Sequence, residues 1–191
     1  MKILGISGSP HEKGNTAYAV KYALNILQNN GFDTNYITLS GKEIHPCAGC
    51  WKCTKNGKCQ FDDYMAEIIK AMKWCDGMIV GSPVYFGLVC GQIKVMMDRS
   101  VVVRKYKSAF EMKGKIGVGI ACGAFRNGGQ ELTLQCIHTF FLQQNMMVVS
   151  DGFPYSHSGA TIVGNAQDDS LGLKTIENLT KNMEMMLKLK V

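Results

Sequence analysis

The stretch Lys2-Ile3-Leu4-Gly5-Ile6-Ser7-Gly8-Ser9-Pro10-His11-Glu12-Lys13-Gly14-Asn15-Thr16 decides the fold. Residues 2–7 are an apolar run of strand length, and residues 16–29 carry Ala17, Val20, Ala23, Leu24 and Leu27 at helical spacing, so a buried strand feeds a helix. The loop between them is built of glycine, hydroxyl and amide residues. Glycine lets the backbone approach a ligand closely, Ser9, Asn15 and Thr16 offer donors, and the free N–H groups of the following helix attract an anion. The same residues also make an ordinary turn with Asn15 or Thr16 as N-cap. Neither GxxxxGK[ST] nor GxGxxG is present, which favours a monophosphate over a nucleoside triphosphate or a dinucleotide.

The pattern repeats along the chain. Strands are expected at 33–39, 77–80, 115–122 and 146–149, and helices at 62–73, 91–101, 130–143 and 170–189. Apolar strands alternating with helices call for a five-stranded parallel sheet covered on both faces, a doubly wound α/β arrangement in a single domain spanning 1–191. Ligands bind such sheets beyond the carboxyl ends of the strands. Two further loops lie there. Gly81-Ser82-Pro83-Val84-Tyr85-Phe86-Gly87 sets aromatic faces on a turn, where Pro83, Val84, Tyr85, Phe86 and Gly87 suit a planar ring system or, equally, a packing contact. The glycine-rich stretch Cys122-Gly123-Ala124-Phe125-Arg126-Asn127-Gly128-Gly129 is expected to close over the same crevice.

Cys47, Cys50, Cys53 and Cys59 read CxxCxxCx5C, inside a segment (41–61) inserted after the second strand. Three cysteines at successive CxxC steps can wrap one corner of a cubane while the fourth returns after a glycine turn, and thiolates are the ligands that iron-sulfur clusters take. Structural zinc, the second reading, normally uses two CxxC knuckles with a longer spacer. A thiol redox pair is the third and leaves two cysteines unexplained. Cys75, Cys90, Cys122 and Cys136 sit among apolar neighbours, where a free thiol acts as a small hydrophobe.

Hydrophobic residues make up 46% of the 191-residue chain and charged residues 19%, which places it with globular proteins rather than disordered ones. The net charge of +6 is spread without a basic run, so nucleic acid is not an expected partner. No signal peptide is read at the start, and no run reaches the ~18 apolar residues of a membrane span, so a soluble, cytoplasmic protein is expected. No Ser/His/Asp set, carboxylate pair or HExxH motif offers hydrolytic chemistry, and His45, His138 and His157 are read as structural.

SGSP with GNT, the compact cysteine quartet, GSPVYFG and RNGGQE follow in this order, and the sequence resembles the iron-sulfur flavoproteins of anaerobic archaea and bacteria, within the NADPH-dependent FMN reductase superfamily. The resemblance implies a flavodoxin-like fold, one FMN and one [4Fe-4S] cluster per subunit, and a homodimer or homotetramer whose cluster faces the neighbouring subunit's FMN. It implies an oxidoreductase that takes electrons from a ferredoxin-like donor. By position, FMN phosphate contacts fall to Ser9, His11, Asn15 and Thr16, ring contacts to Pro83, Val84, Tyr85, Phe86 and Gly87, and loop contacts to Cys122, Gly123, Arg126, Asn127 and Gly128. The cluster ligands are Cys47, Cys50, Cys53 and Cys59. Many relatives carry arginine at the position of His11, so here a titrating imidazole replaces a permanent charge. The competing reading is an NAD(P)H-dependent FMN or quinone reductase whose cysteines hold a purely structural metal.

Overall fold

In the computed structural model, which describes residues 1–104 and 110–189, the strands are β1 (Lys2–Ser7), β2 (Asp33–Thr38), β3 (Gly77–Tyr85), β4 (Leu88–Val89), β5 (Ile116–Gly123), β6 (Met147–Val148) and β7 (Ala160–Val163). The helices are α1 (Asn15–Asn29), α2 (Lys52–Asn56), α3 (Met65–Trp74), α4 (Gly91–Arg99), α5 (Gln130–Gln143) and α6 (Ser170–Leu189), with a 3-10 turn at Ser100–Val103.

The sheet order is β2-β1-β3-β5-β6, and all these pairings are parallel. β1 and β5 are buried almost throughout, as strands covered on both faces must be. Side-chain alternation along β1 divides the core. Ile3 enters one apolar cluster with α1 and α6, while Leu4 and Ile6 enter the other with α3, α4 and α5. The doubly wound expectation therefore holds.

Three features go beyond it. The fifth strand position is shared: β6 pairs with the start of β5 (Ile116↔Met147) and β7 with its end (Ile120↔Ala160), and residues 149–159 bulge out between them. β3 does not stop at Val80 but continues to Tyr85 and turns back into β4, with Val84 opposite Val89. Phe86 (φ 49°) and Gly87 (φ 80°) make the two-residue, left-handed turn that matches strand twist. The cysteine segment also contains a short helix, α2. Among the described residues no helix is long and apolar enough to cross a membrane.

Candidate functional site

The loops after β1, β3, β5 and β7 meet at the carboxyl edge of the sheet. The Gly8 N–H donates to the Gly81 carbonyl at 2.8 Å, joining the first loop to β3. A Cβ on Gly8 would lie 2.1 Å from Ile93 Cγ1, so only glycine lets the loop pass this close to α4. The loop curls on itself: the His11 N–H donates to Ser9 Oγ at 3.1 Å and the Gly14 N–H to the His11 carbonyl at 3.2 Å. Ser9 and Thr16 are buried, while His11 and Asn15 are exposed. No side chain caps α1, whose first N–H groups follow an extended Gly14 and are left to meet an anion. Asn15, read as a donor or an N-cap, instead gives its amide N–H to the Gly164 carbonyl at 2.7 Å and accepts the Ala166 N–H at 3.0 Å. It ties the first loop to the turn after β7.

Pro83 and Val84 are half-buried on the hairpin, and Tyr85 and Phe86 project outward, Phe86 with its whole side chain bare. The third loop leans on the hairpin tip. Gly129, at φ 107°, stands so close to Gly87 that a Cβ there would meet the Gly87 Cα at 2.5 Å. The buried Gln130 side chain shapes this loop, donating to the Phe125 carbonyl at 2.6 Å and accepting the Gly128 N–H at 3.0 Å. Phe125, Arg126, Asn127 and Gly128 are thereby held exposed. Cys122 is buried, its thiol pushed up to about 12 by desolvation, so it remains protonated. Uncovered aromatics around an uncapped helix start fit a planar ring that carries a phosphate.

The four clustered cysteines gather around a cavity of about 140 Å³, which Phe61 and Arg99 also line. Their loop bends through left-handed residues at Gly49 (φ 62°), Trp51 (φ 56°) and Gly57 (φ 73°). A bulky residue such as Trp51 adopts this conformation at a cost of about 1–3 kcal/mol, strain of the kind that collects at functional sites. Cys47 and Cys50 are exposed, Cys53 and Cys59 half-buried, and all four are free thiols. Burial raises the Cys53 pKa, and negative charge on Cys59, Cys47 and Cys50 adds to the opposition its own ionisation meets. A polycationic group among them removes that opposition, which is the donor chemistry a thiolate-bound metal cluster needs. Among the described residues no three His, Cys, Asp or Glu side chains converge as a single-ion site.

The two sites lie at opposite ends of α4. Cys90 at its start donates its S–H to the Gly8 carbonyl at 3.0 Å, and Arg99 at its end lines the thiol cavity. Nine residues at ~1.5 Å each separate these ends by about 13 Å. The cysteine segment leaves β2 at the carboxyl edge of the sheet, but its thiols gather at the far end of α4.

Sequence reasoning missed several residues that shape these sites. Cys90 was read only as a small hydrophobe, yet it also receives order from Ser82, whose Oγ accepts the Cys90 N–H at 3.0 Å. Gln130, the first residue of α5, gave no signal beyond its place after two glycines. Arg99 and Asp63 form a buried ion pair with contacts of 2.8 and 3.0 Å across thirty-six positions of sequence.

A family model described as NADPH-dependent FMN reductase matches residues 1–161. An iron-sulfur flavoprotein of Methanocaldococcus jannaschii is 48% identical over 193 residues, covering 99% of this chain and 98% of that one. An iron-sulfur flavoprotein of Methanosarcina thermophila is 38% identical, covering 99% and 96%. Among solved structures, a flavodoxin, WrbA-like protein from Agrobacterium tumefaciens superposes with a TM-score of 0.69 over 98% of each chain at 16% identity, which bears on the fold alone and makes it flavodoxin-like. Matches of this identity and coverage place the chain in the NADPH-dependent FMN reductase family, among its iron-sulfur flavoproteins.

Proposed function

We propose that this flavin-dependent redox protein passes electrons between a one-electron donor of the ferredoxin kind, a [4Fe-4S] cluster held by Cys47, Cys50, Cys53 and Cys59, and FMN held by the loops at the carboxyl edge of the sheet. The observation that carries the reading is the presence in one chain of a cavity lined by four cysteines and, apart from it, of glycine-rich loops with exposed aromatics at the carboxyl edge of the sheet. When bound, the cluster supplies one-electron steps and FMN supplies both one- and two-electron steps.

The chain's own groups do the rest. The N–H groups at the start of α1, with Ser9, His11 and Thr16, bind the phosphate. Asn15 holds that loop against the β7 turn. Pro83, Val84, Tyr85, Phe86 and Gly87 present a surface to the ring, and the loop of Cys122, Gly123, Arg126, Asn127 and Gly128 closes the other side, with Arg126 bringing positive charge to the anionic edge of a reduced flavin. The separation of about 13 Å along α4 and the outward exposure of Cys47, Cys50 and Trp51 support a homodimer or homotetramer in which the cysteine loop meets a neighbouring subunit's flavin loops. A cytoplasmic setting in an anaerobe suits an oxygen-sensitive cluster at a partly exposed loop.

The match to a reductase model named for NADPH favours a second reading, direct reduction of the flavin by a nicotinamide with a structural metal at the cysteines. Anaerobic stopped-flow mixing separates the two. With reduced ferredoxin the cluster and flavin absorbances should bleach in sequence within the dead time to seconds, and with NADPH they should not. Rapid flavin bleaching by NADPH with no response to ferredoxin would overturn the electron-transfer reading.

A further inference from the structure

Arg99 is the bulkiest fully buried side chain among the described residues, 1% exposed, and it lines the cysteine cavity. A guanidinium so placed needs its N–H groups answered. Nη1 donates to Asp63 Oδ2 at 2.8 Å and to the His45 carbonyl at 2.7 Å, and Nη2 donates to Asp63 Oδ1 at 3.0 Å. Asp63 is itself fixed by accepting the backbone N–H groups of His45 and Met65. The Phe61 ring lies 5.1 Å from the guanidinium carbon, and the His45 ring stacks on Phe61 with centroids 5.0 Å apart. The cation is clamped end-on by the carboxylate and covered by an aromatic face. Its Nε–H is nevertheless buried with no hydrogen-bond partner. Cys59 lines the same cavity as Arg99, and although burial works against the arginine's charge, Asp63 and then Cys59 outweigh it and hold its pKa above the ordinary value.

Resting on the cluster reading above, we infer that the Nε–H of Arg99 donates to the Cys59 sulfur when the cluster is bound, making Arg99 a positioning residue that sets the cluster's reduction potential. An N–H donor at a cluster thiolate draws negative charge off the metal and favours the reduced, more anionic form, which raises the potential. Asp63 cancels most of the guanidinium's long-range charge, so the effect is local to the hydrogen bond. Lysine at this position keeps the charge but has no Nε edge to offer once its ammonium faces Asp63.

The test is a spectroelectrochemical titration, read by EPR, of anaerobically purified full-length protein, comparing the wild type with Arg99→Lys and with the double variant Arg99→Gln/Asp63→Asn, which removes both buried charges together. The cluster's oxidised-to-reduced ratio at fixed potential should rise at least tenfold in both, 59 mV for a one-electron couple, while the flavin couple stays in place. Variants that retain full iron with an unmoved cluster potential would overturn the inference and leave Arg99 a structural ion pair. A second measurement needs no variant: in wild-type protein labelled with ¹⁵N-arginine, pulsed EPR of the reduced cluster should show a ¹⁵N coupling, and its absence would also overturn the inference. Wild-type protein that holds no iron would instead remove the cluster reading beneath it.

Discussion

Gly129→Ala tests whether the hairpin after β3 and the loop after β5 form one crevice. The substituted Cβ would lie 2.5 Å from the Gly87 Cα and 2.6 Å from the Gly87 carbonyl oxygen, whereas ordinary van der Waals contact begins at 3.4 Å. The two loops must separate by about 0.9 Å, and because the obstacle is backbone, no side chain can rotate to relieve it. Alanine at φ 107° adds left-handed strain of ~1–2 kcal/mol, and the displaced packing a further ~1–2 kcal/mol. The sum, about 2–4 kcal/mol, lowers Tm by roughly 5–15 °C in a domain of this size. A shift near 1 Å in groups that clamp a ring should weaken FMN binding by about tenfold or more. Gly31→Ala is the control. It has φ 87° at the end of α1 and nothing within 4 Å, so it carries the strain without the collision. Differential scanning fluorimetry and flavin-fluorescence titration give both quantities. Equal Tm losses and equal FMN affinities in the two variants would refute the claim that the loops touch and jointly hold the ring.

Asn15→Ala removes two hydrogen bonds that pin the first loop, and chemical denaturation should show a loss of about 1–2 kcal/mol together with weaker FMN binding. Asp63→Ala leaves Arg99 buried without its partner and should destabilise the fold by about 3–5 kcal/mol. Because hydrogen bonding to Arg99 and to two backbone N–H groups outweighs burial and holds the Asp63 carboxyl below its ordinary value, the stability it contributes is present above about pH 4 and is lost as pH falls through the lower folded value. An Asp63→Asn variant should accordingly show a flatter stability profile across that acid range. In metal-free native protein a thiol reagent at neutral pH should modify the exposed Cys47 and Cys50 first, while Cys75 (about 11) and Cys122 (about 12), both raised by burial, react only after unfolding.

What the sequence showed and what it hid have physical causes. β1, α1, α5 and α6 were readable to within a residue because each is long enough for its apolar period to stand above chance, and the turn residues at Gly14 and Gly31 mark real boundaries. The split fifth strand was half read: β6 has two residues and β7 four, too short for a period, and the eleven residues between them break the expected helix-strand rhythm. β3 was cut short because Gly81-Ser82-Pro83 reads as a loop, although the chain there continues as a ribbon. At the sites, the cysteine spacing was legible because thiolate ligation imposes it. Asn15 was legible as important but not in its role, since both of its partners lie about 150 positions away. Arg99 could not be found at all. It follows Asp98 at the end of a helix, where charged residues are usually solvated, and only tertiary packing brings Asp63, Phe61 and Cys59 around it.

The central claim, two cofactors in one chain, is tested most directly by the visible spectrum of protein purified without oxygen, taken with iron, zinc and acid-labile sulfide analysis. The account predicts flavin bands over a broad cluster absorbance that bleaches on reduction, with about four irons and four sulfides per chain. Flavin with stoichiometric zinc and no iron would contradict it, and would make the four-thiol cavity a structural metal site.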